Sequence, residues 1–342
     1  MKRIFLLLIV SCQLFGSDKD NDSNHLKKRL ETAQKGDYIV AEAGKMITVI
    51  ALRSRTESSI IFEEISVPVQ YFKDKKPQSW AEWVKNQAPG HSSWSMIEID
   101  LTNNQILECY SFSRASWLQL ANQDSFLSTL LRLPLQQITK QQRKKIGPAP
   151  NADEVDHRQI WQPPLIVNGQ QIEKSHFDAY AAEWPKDHSE LSGQIVTLYF
   201  DQESKFPLPY WIQVDTTHAA VSMRVIDSGS HLSSPYHKLP RRVPEFLIPP
   251  RMTNKGVELS LKSPKYYKTF ELFAIDITTK EKHIVPLAHK VTSIQGEIVS
   301  LEVPEIELAQ MLESGHRYTW LLVPTGYSEY YTEFTKPFFW NP

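Results

Sequence analysis

Met46-Ile47-Thr48-Val49-Ile50-Ala51-Leu52-Arg53 is the stretch on which the fold turns. Alternate side chains of a strand point to opposite faces, so Met46, Ile50 and Leu52 share one face and Ile47, Val49 and Ala51 the other. Both sets are apolar, which predicts a strand covered on both sides. Around it the strand signals come in quick succession: Tyr38–Ala43 before it, then Ile60–Val67, Trp94–Leu101 and Ile106–Phe112, with Thr102-Asn103-Asn104-Gln105 turning the last pair into a hairpin. Ahead of these strands Leu26, Leu30 and Ala33 recur at helical spacing, with Ser23 or Asn24 as cap and Gly36 as stop. Two short helices are expected near Trp80–Gln87 and Phe126–Arg132. The pattern is a meander of antiparallel strands interrupted by helices.

Regular strands return at Ile195–Phe200, Tyr210–Val214 and Ala219–Ile226. Val196, Leu198 and Phe200 share a face, and Tyr210, Ile212 and Val214 alternate likewise. Between the two groups, Leu133 to Pro164 carries five prolines, a basic cluster (Lys140, Arg143, Lys144, Lys145) and an acidic one (Asp153, Glu154, Asp156), and reads as a surface excursion with a solvated charge run. A second proline-rich segment with Arg241-Arg242 follows Ser234 and marks a domain boundary. Beyond it Val257/Leu259/Leu261, Phe270/Leu272, Phe273/Ile275/Ile277 and Val299/Leu301/Val303 read as short strands of one β-sandwich.

The 342 residues suffice for about two domains. Charged residues at 23% and hydrophobic residues at 41% exclude a disordered chain and a polytopic membrane protein. Lys+Arg 38 against Asp+Glu 39 leaves a formal net charge of -1, so no sequence-wide field recruits nucleic acid.

Lys2 and Arg3 precede an apolar run from Ile4 to Val10, too short to span a bilayer and suited to a targeting segment. It closes with Ile9-Val10-Ser11-Cys12, which resembles the lipobox of bacterial lipoprotein signal peptides. That resemblance implies acylation of Cys12 and a protein anchored in the bacterial cell envelope, facing the periplasm; Gln13 resembles the outer-membrane-sorted class. An ordinary signal peptide cut near Gly16 or Ser17 is the other reading. Cys109, the remaining cysteine, sits in a strand context suited to a small buried hydrophobe.

Residues 24–234, with an N-terminal helix, a run of strands, interposed helices and the late pair Ile195–Asp201 and Pro209–Val214, resemble the periplasmic lipoprotein-carrier (Lol-type) family. The resemblance implies a half-open barrel whose hollow holds an acyl chain or a lipoprotein. The segment Leu312 to Val323, with Tyr318 six residues after the leucine, resembles the E–F corner of fibronectin type III domains, Tyr318 being the corner tyrosine.

The expected organisation is therefore a signal peptide (1–17), a tether (18–23), a carrier-like antiparallel β domain with helices (24–234), a linker (235–244) and a fibronectin type III-like sandwich (245–342). The fold class is mainly β: a curved antiparallel half-barrel followed by an immunoglobulin-like sandwich. If the first domain is hollow, Val49, Leu198 and Ile212 are the candidate lining residues, with the inward face of each strand left open. No P-loop, GxGxxG, CxxC, HExxH or GxSxG signature is present, so neither a cofactor, a metal nor an enzyme activity is expected. A hydrolase using His157 or His176 would need a paired carboxylate in a concave site. The function expected is an envelope protein that binds an apolar ligand and docks an envelope partner through its C-terminal domain; the alternative is a structural or adhesion-type scaffold with a solid core.

Overall fold

The computed structural model describes residues 25–73, 77–118, 125–151, 154–203, 206–214 and 221–341. Cys12, the tether 18–23 and Asp153 lie outside them. The chain divides into two compact units, Met1–Pro235 and Tyr236–Pro342.

In the first unit the strands are Tyr38–Ala43 (β1), Met46–Arg55 (β2), Ser59–Pro68 (β3), Ser93–Asp100 (β4), Ile106–Ser111 (β5), Ser116–Trp117 (β6), Gln136–Gln137 (β7), Leu165–Val167 (β8), Gln170–Ile172 (β9), Phe177–Glu183 (β10), Ile195–Asp201 (β11), Trp211–Val214 (β12) and Val221–Gly229 (β13). The helices are His25–Thr32 (α1), Trp80–Lys85 (α2) and Phe126–Arg132 (α3). Eleven strands make one open antiparallel sheet in the order β6-β5-β4-β3-β2-β1-β13-β12-β11-β10-β7, while β8 and β9 form a separate hairpin.

The sheet is curved. Ile60, Phe62 and Ile97 of one wing share a buried cluster with Phe177, Leu198 and Ile212 of the other, closed by Leu26 and Leu30 of α1 and Leu127 and Leu130 of α3. Such contact requires the two wings to bend toward a common core. Arg29 of α1 donates from Nη2 to the carbonyls of Asp201 and Phe206, each at 3.0 Å, which fixes the helix on the later wing. The opposite face carries its own cluster, in which Val49, Ile65 and Trp94 pack with Phe72, Trp80 and Trp83 around α2. Strand β2 serves both clusters: Ile50 and Leu52 face α1 and α3, and Ile47, Val49 and Ala51 face α2. Burying each such aliphatic side chain is worth about 1.5–3 kcal/mol, so two-sided cover anchors β2 firmly in the sheet.

Local chemistry explains the helices. Ser125 and Ser128 form a reciprocal capping box at the start of α3, with Ser128 N–H to Ser125 Oγ at 3.1 Å and Ser125 N–H to Ser128 Oγ at 3.0 Å. Asn104, in a left-handed turn at φ 56, ties the β4–β5 hairpin to the end of α3 by donating to the Leu131 carbonyl at 3.1 Å.

The proline-rich excursion closes on itself. Ile146 N–H bonds to the Gln159 carbonyl at 2.9 Å and Trp161 N–H to the Lys144 carbonyl at 2.8 Å. Lys145 and Arg158 clamp Asp156 at 2.7 and 2.9 Å, Arg143 donates to Gln162 at 2.9 Å, and Lys144 lies over the Trp161 ring. The clamp holds the Asp156 carboxyl well below the usual carboxylate range. Lys140, Lys144 and Glu154 stay exposed, as a solvated charge run requires, and the Lys145–Asp156 pair adds one link between the basic and acidic clusters.

The second unit contains Glu245–Phe246 (β14), Arg251–Thr253 (β15), Gly256–Lys262 (β16), Phe270–Asp276 (β17), His283–Leu287 (β18), Lys290–Gln295 (β19), Ile298–Pro304 (β20), Glu305–Met311 (α4), Arg317–Pro324 (β21) and Thr332–Phe339 (β22). One sheet runs β14-β16-β20-β19, with β15 also on β16, and the other β18-β17-β21-β22. This is the strand order of an immunoglobulin-like sandwich. Its interior holds Val257, Leu259 and Leu301 from one sheet and Leu272, Trp320 and Leu322 from the other. The Tyr318 hydroxyl is buried and accepts the Glu313 N–H at 2.8 Å. Gly256, at φ +137, lies where a Cβ would meet the Val303 carbonyl oxygen, so the β16–β20 approach demands glycine there.

Candidate functional site

The concave face of the first unit contains a recess of about 310 Å³, at the lower end of the roughly 300–1,000 Å³ range of small-molecule sites. Strand register builds its floor. Ala43 pairs with Met223 and Met223 with Ile212, Ala41 pairs with Thr48 and Thr48 with Ser66, and Ile50 pairs with Glu64. Residues two apart on one strand share a face, so Ala41 and Ala43, Thr48 and Ile50, and Glu64 and Ser66 all project into the same hollow. The alanines create the space, since larger side chains at 41 and 43 would fill it.

Phe126 and Leu191 line the recess from the opposite side. Phe126 is the first residue of α3 and is held by the capping box and by stacking on Trp184, with ring centroids 5.7 Å apart. Leu191 belongs to the turn between β10 and β11, which is organised around Asp187. That carboxylate accepts from Trp184 Nε1 at 3.0 Å and from the Ser189 N–H and hydroxyl at 2.9 and 2.6 Å. These bonds keep the Asp187 carboxyl below its ordinary value against the opposing effect of burial.

Two polar features interrupt the apolar lining. The Thr48 and Ser66 hydroxyls bond to each other at 3.0 Å. Glu64 is different: it is half-buried, makes no hydrogen bond or ion pair among the described residues, and burial pushes its carboxyl up to about 7. Among the described lining residues it is the one ionisable group.

The three candidate lining residues part company. Ile212 lines the recess. Leu198 belongs to the same cluster but is packed solid, with no exposed surface. Val49 points away, into the cluster around α2, because it lies an odd number of residues from Thr48 and Ile50 and the pleat turns it to the other face. Sequence reasoning missed Glu64. A signal existed: Glu63-Glu64 falls inside a strand flanked by the two-sided Met46–Arg53, so one carboxylate had to enter each face.

The groups considered for chemistry stay apart from this hollow. His157 and His176 are exposed, and Asp178 is engaged by Gln202 Nε2 at 2.7 Å. Cys109 is buried and free, and its thiol is pushed up to about 11, chiefly by burial. The large tryptophans Trp94, Trp184 and Trp320 are core residues. Among the described residues no helix is long and apolar enough to cross a membrane.

With this geometry in hand, comparison with known proteins gives a family likeness over part of the chain. Residues 48–173 match the family described as CT021 protein. Among solved structures, the hypothetical protein CT021 from Chlamydia trachomatis is similar at 23% identity, covering 64% of this chain and 98% of that one, with a TM-score of 0.45. No curated protein matches.

These findings correct both resemblances drawn from the sequence. Neither the lipoprotein-carrier family over 24–234 nor the fibronectin type III family over 245–342 is matched; the match found is to CT021. The helix-then-meander order that suggested the carrier is shared by any antiparallel sheet curling over helices. The same sheet also carries a second cluster, around α2, on its other face.

Proposed function

We propose that the protein is an exported envelope protein, anchored through an acylated Cys12, whose first unit binds the alkyl chain of an amphiphile and whose C-terminal sandwich serves as an interaction module. The observation that carries the binding reading is the recess of about 310 Å³ floored by Ala41, Ala43, Ile50, Ile212 and Met223. At about 30 Å³ for each water-sized group, it takes a chain of about ten carbons. Ten methylenes at about 0.8 kcal/mol each give about 8 kcal/mol of gross driving force. Ordering and association costs remove much of it, so a chain alone should bind with a Kd on the order of 100 µM, comparable to the net worth of a single acyl chain on a membrane. Anything tighter requires recognition of the head group.

The test is saturable binding of a decyl-chain fluorescent probe to the full-length protein. Ile212→Glu places a charge in the recess and Met223→Trp fills it; either variant, with its circular dichroism unchanged, is expected to lose saturation. Absence of saturation with the unaltered protein, or unchanged binding by both variants, overturns the reading and leaves an envelope scaffold in its place.

A further inference from the structure

We infer that the head group of the bound amphiphile is a hydrogen-bond-donating cation, a primary ammonium, held by the carboxylate of Glu64, and that chains ending in a carboxylate are turned away. This inference rests on the proposed occupancy of the recess and specifies its ligand class. Glu64 projects into an apolar hollow and, among the described residues, is the only ionisable one lining it. Among the described residues it has neither a hydrogen bond nor an ion pair. A carboxylate so placed is costly unless a partner arrives; the neighbouring Thr48 and Ser66 hydroxyls bond each other at 3.0 Å and make no hydrogen bond to it among the described residues.

Among the described residues the surroundings add no competing cation. Strand β2 presents Ile50 opposite Glu64, β4 presents Ser95, and α3 and the β10–β11 turn present Phe126 and Leu191. The other titratable group shown to feel the Glu64 charge is Cys109 on β5, a neutral thiol in the ordinary pH range. An ammonium on the end of an alkyl chain would supply the missing charge and up to three donors. A carboxylate would bring like charge into a poorly solvated site. Since burial places the Glu64 carboxyl near 7, discrimination should appear above neutrality and fade below it.

The experiment is isothermal titration of the full-length protein with decylamine, decanol and decanoate, each below its micellar concentration, at pH 8.5 and 5.5. The expected result at pH 8.5 is decylamine at least ten-fold tighter than decanol, and decanoate at least ten-fold weaker. At pH 5.5 the amine preference should shrink below three-fold. Glu64→Gln should abolish the preference of amine over alcohol at both pH values; if that variant does not fold, the pH comparison on the unaltered protein decides alone. Equal binding of amine and alcohol at pH 8.5, or decanoate as tight as decanol there, overturns the ammonium assignment and leaves the recess as an apolar site. Failure of all three ligands overturns the binding reading itself.

Discussion

Glu63 and Glu64 are adjacent on β3 and end in opposite hydrophobic clusters of the same sheet. Glu63 is 1% exposed, with Arg53 at 3.5 Å as its counter-ion, whereas Glu64 faces the recess with no ion-pair partner among the described residues. Burial raises the ordinary value of both carboxyls, and for Glu63 Arg53 works against that rise. One carboxylate is compensated inside the protein, and the other is available to something from outside.

The compensated pair gives a stability prediction. Arg53→Ala leaves Glu63 buried without its counter-ion and should cost about 3–5 kcal/mol by urea denaturation. Arg53→Ala combined with Glu63→Gln should recover more than half of that loss. Additive losses in the double variant would show that the two residues do not act as a pair.

The uncompensated carboxyl has the opposite signature. Its folded value, about 7, lies above its ordinary 4.5, so the folded state binds more protons than the unfolded state between these values. Stability from this group is present below about 4.5 and is lost as pH rises through about 7. Discounted for its partial solvent contact, the effect should be about 2 kcal/mol. Glu64→Gln should therefore stabilise the ligand-free protein at pH 8 by about that amount and flatten the slope of stability between pH 5 and 8. A variant less stable than the parent at pH 8 would contradict the assignment.

The sandwich has its own pH dependence. His316 Nδ1 contacts Asp276 at 2.6 Å beside the Tyr318 corner, which raises the imidazole above its ordinary value and lowers the carboxyl. The imidazole contribution is complete below about 6.5 and is lost as pH rises through the raised folded value. The carboxylate contribution is present above its ordinary range and is lost as pH falls through the depressed value. Melting of the sandwich should accordingly peak between the two, and Asp276→Asn should flatten both limbs. Tyr318→Phe should cost about 1 kcal/mol at every pH, because it removes the bond to the Glu313 N–H without touching either charge.

Anchoring is tested separately. The unaltered protein should partition into a detergent phase and incorporate labelled fatty acid, and Cys12→Ala should do neither. Equal labelling of the two would exclude acylation at that cysteine.

The legibility of this fold varied with how strongly side chains declared their faces. Met46–Arg53 announced a doubly covered strand, and the clusters on its two sides are what that pattern required. Phe126–Arg132 was legible through its apolar spacing, and its ends match the helix. Phe177–Glu183 was not: Ala179, Ala181 and Ala182 have little strand preference, and register with β11 holds them in the sheet. Helix α4 was missed because Ile306 and Met311 are exposed and Leu308 is its buried side chain. The recess depends on which small and large residues meet across β13, β1, β2 and β3. That information belongs to register, and no single strand carries it.

The self-closed excursion has an engineering consequence. Its neck is set by the pairings of Lys144 with Trp161 and Ile146 with Gln159, and Lys145–Asp156 and Arg158–Gly147 brace it from inside. Lengthening a loop beyond such a neck costs about 0.6 kcal/mol per doubling, and the sheet would not register the change. The tip near Asn151 is thus a port, where an epitope or a small reporter domain could be grafted while the neck absorbs its motion.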